Sequence, residues 1–109
     1  MRVEVLHIEE CPSWREAGAR LEVALAEAGI DAAVEYRLLE DPADLAGTVF
    51  AGSPTIVVDG ADLFPAAEPI RELACRVYPT PSGLRGMPDT AQLVAALRTL
   101  ADSGQPSDE

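Results

Sequence analysis

The sequence predicts a mixed α/β fold on a four-stranded sheet, and three features of the chain point there. An alternating apolar strand at 3–8 gives way at Glu9-Glu10-Cys11-Pro12 to an amphipathic helix and then to a second alternating stretch at 32–39, a β-α-β unit whose strands run parallel. The apolar run Thr55-Ile56-Val57-Val58 precedes Asp59-Gly60, a dipeptide that favours the type I′ hairpin and sends residues 61–64 back antiparallel. Leu93, Val94, Leu97 and Leu100 then recur at helical spacing behind Asp89 and Gln92, whose three-residue separation makes a capping box. In chain order the elements read β-α-β-α-β-β-α.

Each element has local reasons. Val3, Val5 and Leu6-His7-Ile8 alternate as the first strand. Pro12 has no N–H to lose at a first helical position, which makes Cys11 the expected N-cap. Trp14, Ala17, Leu21, Leu25 and Ala28 line one face of the helix, and Gly29 ends it as a C′ glycine. Val34, Tyr36 and Leu38 set the alternation of the second strand. Asp41-Pro42 is an N-cap followed by Pro, opening a short helix through Leu45 that Gly47 closes. Residues 65–87 do not fit this plan. They read as a helical turn around Glu68 to Leu73, an extended piece Cys75-Arg76-Val77-Tyr78 anchored by its tyrosine, and a turn-rich stretch Pro79 to Gly86. An irregular insertion of this length inside a compact domain is usually functional or disordered. The expected domain spans 1–101, with a disordered polar tail at 102–109.

Length and composition bound the function. A chain of 109 residues suits one domain and buries about two thirds of its unfolded surface, so folding calls for neither a disulfide nor a metal. The apolar runs are far too short to cross a bilayer, and the alternating N-terminus with Glu4 inside it lacks the apolar core of a signal peptide. The expectation is a cytoplasmic protein. Eight Lys and Arg against nineteen Asp and Glu give a net charge of -11, a field that repels nucleic-acid backbones and anionic lipid surfaces. Two cysteines, Cys11 and Cys75, remain as candidate redox or metal-binding thiols in such a chain. At a helix N-terminus, orphan N–H groups and the dipole favour a Cys11 thiolate, while Glu9 and Glu10 oppose it.

Two motifs together resemble the thioredoxin superfamily, in particular its short glutaredoxin-like members: Cys11-Pro12-Ser13-Trp14 after the first strand and Gly52-Ser53-Pro54-Thr55 before the third. The resemblance covers residues 1–100 apart from the insertion. It implies a thioredoxin-like three-layer α/β/α fold, with Cys11 as the nucleophile at the start of the first helix. It also implies that Pro54 is a cis-proline facing Cys11, and that Pro12, Ser13, Trp14, Ser53, Pro54 and Thr55 contact a thiol substrate. Trp14 stands where the family keeps its second cysteine, so the usual dithiol cycle cannot run within this motif. The wider pattern Cys-Pro, Gly-Ser-Pro-Thr, Asp-Gly, Cys-Arg is also similar to bacterial proteins of the thioredoxin family loosely named alkylmercury lyase, a pointer to mercury chemistry.

If the third strand begins beside Cys11, the Asp59-Gly60 hairpin returns the chain to the Cys11 end of the sheet, where the insertion starts. Cys75 then stands over Cys11 as a resolving thiol, with Arg76 beside it to favour the thiolate and join the substrate-binding residues, or else is buried under the insertion as a small apolar residue. Three functions follow. One is thiol-dependent redox exchange with a protein or small-molecule thiol or disulfide. Another is binding of mercury or another soft metal ion between two thiolates, zinc being disfavoured by the lack of four ligands. The last is a non-catalytic binding module, monomeric or homodimeric. No organic cofactor is implied.

Overall fold

A computed structural model describes residues 1–65, 70 and 72–103. The sheet is built around β1 (Val3–His7), which lies between β2 (Val34–Leu38) and β3 (Thr55–Val58). Pairing with β2 is parallel, from Val3 opposite Val34 to His7 opposite Leu38; pairing with β3 is antiparallel, from Val3 opposite Val58 to Leu6 opposite Thr55. β4 (Ala61–Asp62) completes the mixed sheet antiparallel to β3, in the order β2-β1-β3-β4. Both turn residues, Asp59 and Gly60, have positive φ (51° and 85°), as the type I′ hairpin requires.

The period of two along the strands sorts apolar residues to opposite faces. Val3, Val5, Ile56 and Val58 pack against α1 (Ser13–Glu27) and α2 (Thr90–Ser103) through Leu21, Leu25, Leu93 and Leu97. Leu6, Ile8 and Val57 face the other way, onto Leu39, Leu45 and Phe50. A single 3₁₀ turn, Pro42–Leu45, and loop residues cover that second face. The short helix expected there is therefore only one 3₁₀ turn, so among the described residues the sheet carries α-helices on one face and not the three-layer α/β/α arrangement expected. Pro42 and Gly47 leave room for little more, and the turn's bonds run from the Asp44 N–H to Asp41 C=O and the Ala46 N–H to Ala43 C=O. The Asp44 carboxylate accepts the Glu40 and Asp41 N–H groups, which lowers its pKa.

Several boundaries differ from expectation. Pro12, not Cys11, is the N-cap of α1: its backbone is already helical (φ -72°, ψ -5°) and its carbonyl accepts the Arg15 N–H. The strand expected over 61–64 ends at Asp62, because the Asp62 carboxylate turns the chain by accepting the Phe64 N–H. α2 extends to Ser103, past the expected limit of 101. Its capping box is as expected, with Gln92 N–H donating to Asp89 Oδ1 and Asp89 N–H to Gln92 Oε1. The turn-rich stretch contains a hairpin, β5 (Tyr78–Thr80) with β6 (Gly83–Arg85), pinned by the Thr80 hydroxyl between Ser82 N–H and Gly83 C=O. The helical turn expected over Glu68 to Leu73 falls largely outside the described residues, as does the tail from 104 onward. Among the described residues, no helix is long and apolar enough to cross a membrane.

α1 ends in a Schellman motif: Ile30 N–H donates to Leu25 C=O and Gly29 N–H to Ala26 C=O, with Gly29 at φ 73° and Ile30 packed on the core. A Cβ at Gly29 meets nothing within 4 Å, so substitution there is felt through the backbone alone. Gly29→Ala is expected to lower unfolding free energy by about 1 kcal/mol and Gly29→Asn by less, read from urea denaturation.

Candidate functional site

β1 ends at His7, and the Ile8 N–H donates to the Ser53 hydroxyl at 3.1 Å, tying the strand to the loop before β3. The chain then turns, with Cys11 N–H directed at Ile8 C=O, and Cys11 enters the second apolar cluster beside Leu6, Ile8, Leu39 and Phe50 at 3% exposure. Opposite stands the loop Gly52-Ser53-Pro54-Thr55, whose Ser53–Pro54 peptide bond is cis. Of its two hydroxyls, that of Ser53 holds the end of β1 and that of Thr55 serves the loop itself. Thr55 donates to Gly52 C=O and accepts the Ala51 N–H, and both Ser53 and Thr55 are buried.

A segment of the insertion docks on this loop as a short parallel strand. Ser53 N–H donates to Ala74 C=O at 2.8 Å, and Arg76 N–H donates to Ser53 C=O at 2.9 Å, placing Cys75 opposite Ser53. Close approach requires Gly52: at φ 114°, a Cβ there would lie 2.6 Å from that of Arg76. Cys75 and Cys11 form a disulfide with Cα atoms 5.9 Å apart, inside the bridging range, although 64 positions separate them. The reading of Cys75 as a small apolar residue buried under the insertion does not hold. Cys75 stands over Cys11, and it is exposed rather than buried.

Arg76 anchors this segment. Its side chain donates to Asp62 Oδ2 at 2.8 Å and to Phe64 C=O at 2.6 Å, and its guanidinium carbon lies 4.5 Å from the centre of the Tyr78 ring. The ion pair is buried, at 5% and 8% side-chain exposure. The guanidinium is thus committed to Asp62 and the Phe64 carbonyl. Tyr78 anchors the insertion as anticipated, its hydroxyl donating to Pro54 C=O; burial pushes its pKa well up. Sequence reading took Asp62 only as a strand residue. Its signal was a carboxylate within Ala61-Asp62-Leu63-Phe64, since an acid in an apolar run demands a partner.

The remaining candidates are on α1 and its cap. Pro12 is exposed and Ser13 half-buried at the start of α1. Trp14 packs on the helical side of the sheet, stacked on His7 with ring centres 3.9 Å apart, edge-on to Tyr36 and under Arg15. It does not share the surroundings of Cys11 on the opposite face. His7 continues the Val3 and Val5 face, is buried, and holds its Nδ1 without a hydrogen-bond partner. Among the described residues no group of three or more His, Cys, Asp or Glu is placed to hold a metal. No protein-family model matches the chain, and neither a curated protein nor a solved structure does.

Two outcomes are expected. Arg76→Met leaves Asp62 charged and unpaired, and is expected to cost about 3 kcal/mol in urea denaturation, with much of the loss restored in the Asp62→Leu/Arg76→Met double variant. Burial lowers the His7 pKa below the ordinary 6.5, so only the unfolded chain takes up this proton as the pH drops through that value. Stability due to His7 is therefore intact above about pH 6.5 and declines below it, and His7→Leu is expected to remove that part of the pH dependence in denaturation curves taken between about pH 5 and 7.

Proposed function

We propose that this chain is a thiol-dependent redox protein of thioredoxin-like type, cycling between a Cys11–Cys75 disulfide and the corresponding dithiol. The observation that carries the reading is the bridge itself: two cysteines 64 positions apart meet in one site at a sheet end. Other features support it. The β2-β1-β3-β4 order with paired helices on one face is compatible with a thioredoxin-like topology, and the loop before β3 seats Cys75 opposite Ser53. In this reading the insertion supplies the partner thiol that Trp14 displaces from the helix motif. A cytoplasmic setting belongs to the proposal, because bridges there are characteristically transient and catalytic or redox-sensing.

The same juxtaposition favours a second reading, capture of a soft ion by the reduced pair. Two sulfurs without further donors suit an ion satisfied by two thiolates, such as mercury(II) or copper(I), better than zinc.

Reversible exchange is tested on the folded, full-length protein. Excess dithiothreitol is expected to expose two thiols together and oxidised glutathione to remove both, as counted by alkylation and mass spectrometry, while Cys11→Ser and Cys75→Ser each abolish the paired change. A bridge that resists dithiothreitol in the folded protein but yields in urea would mark a structural staple and contradict the redox reading.

A further inference from the structure

Building on the redox reading, we propose that Cys75 rather than Cys11 is the sulfur at which substrates exchange, and that the groove beside it receives the apolar substituent of a small neutral thiol or disulfide. The two sulfurs differ in access. Cys11 is 3% exposed and walled by Leu6, Ile8, Leu39 and Phe50, whereas Cys75 is exposed. An incoming thiolate approaches along the S–S axis, on the side of the attacked sulfur away from the leaving one. Cys75 is an exposed residue that such a thiolate can meet from solvent, whereas Cys11 is enclosed by the core. This inverts the roles anticipated from sequence, where Cys11 attacks and Cys75 resolves.

Cys75 lines a groove of about 690 Å³, a volume suited to a small organic ligand, together with Leu63, Phe64, Val77 and Tyr78. The polar side chains of this groove are already engaged: Arg76 with Asp62 and Phe64 C=O, Tyr78 with Pro54 C=O, and Gln92 with Asp89 N–H and Pro79 C=O. Among the described residues each of these polar side chains already has a partner in the fold, and the net charge of -11 disfavours anionic thiols. Affinity then comes from apolar area, which an aromatic or branched aliphatic group next to the sulfur supplies.

The chemistry balances. A thiolate RS⁻ attacks the Cys75 sulfur, the S–S bond breaks, and Cys11 leaves as a thiolate. A second RS⁻ attacks the substrate sulfur of the mixed disulfide, forming RSSR and releasing the Cys75 thiolate. Two thiols are oxidised to one disulfide, the protein bridge takes the two electrons, and both protein sulfurs can pick up the protons that the substrate thiols lost. With RSSR in excess the sequence runs in reverse.

The test uses the oxidised, full-length protein with benzyl mercaptan and 2-mercaptoethanol, each rate divided by that of the same thiol with oxidised glutathione. Acid quenching and peptide mapping are expected to place the benzyl adduct on Cys75, and the normalised rate is expected to favour benzyl mercaptan by about tenfold. Val77→Ser, at a position 58% exposed and so harmless to the core, is expected to erode that preference. Adducts on Cys11 would overturn the assignment of the attacked sulfur. Equal normalised rates, or a preference untouched by Val77→Ser, would overturn the groove. Failure of both thiols to reduce the bridge would instead remove the redox reading on which the inference rests.

Discussion

Ser53 makes three hydrogen bonds that join the end of β1 to the segment carrying Cys75. Its hydroxyl accepts the N–H of Ile8 where β1 ends, and its backbone N–H and C=O pair with Ala74 and Arg76. One residue thus fixes the strand that leads to Cys11 and the segment that carries Cys75. Gly52, with positive φ and no Cβ, lets the two backbones approach, and Tyr78 adds a clasp from its hydroxyl to the Pro54 carbonyl. The disulfide closes a geometry that backbone hydrogen bonds have already set out.

The buried Arg76–Asp62 pair is the second support. Burying two charges is unfavourable unless both find partners, and here the guanidinium is satisfied by a carboxylate, a carbonyl and an aromatic face. Such a pair adds little net stability, but it fixes one register, because any displacement of the segment leaves a charge unpaired in the interior. Asp62 belongs to β4 and Arg76 follows Cys75, so the pair joins the sheet edge directly to the site.

Much of this was legible in the sequence because the signals are local. Asp59-Gly60, Gly29 and the Asp89 to Gln92 capping box each encode a backbone geometry within a few residues, and each appears as read. The direction of the hairpin was enough to bring the insertion back to Cys11, which is how Cys75 came to be weighed as its partner. What was hidden depends on contacts between distant segments. Nothing near Cys75 announces its bridge to Ser53, and nothing near Asp62 announces Arg76. The cap of α1 moved by one residue because Pro12 adopts helical backbone and supplies the first carbonyl itself. The burial of Cys11 was hidden for a related reason: Cys11 turns toward Phe50 and Leu39 on the face away from the helices, a neighbourhood assembled only by the fold.

The central claim is that the fold, rather than chance encounter, holds the two sulfurs together. By linkage, a bridge stabilises the fold by as much as the fold stabilises the bridge. A loop closed over 64 positions corresponds to about 4 kcal/mol, or about a thousandfold in the equilibrium between the bridge and a glutathione couple. The direct measurement is that equilibrium constant for the full-length protein, in buffer and again in denaturing urea. If the fold holds the two sulfurs together, the constant falls by about three orders of magnitude on unfolding. Equal constants in the two solvents would show that the folded chain does nothing to bring Cys11 and Cys75 together.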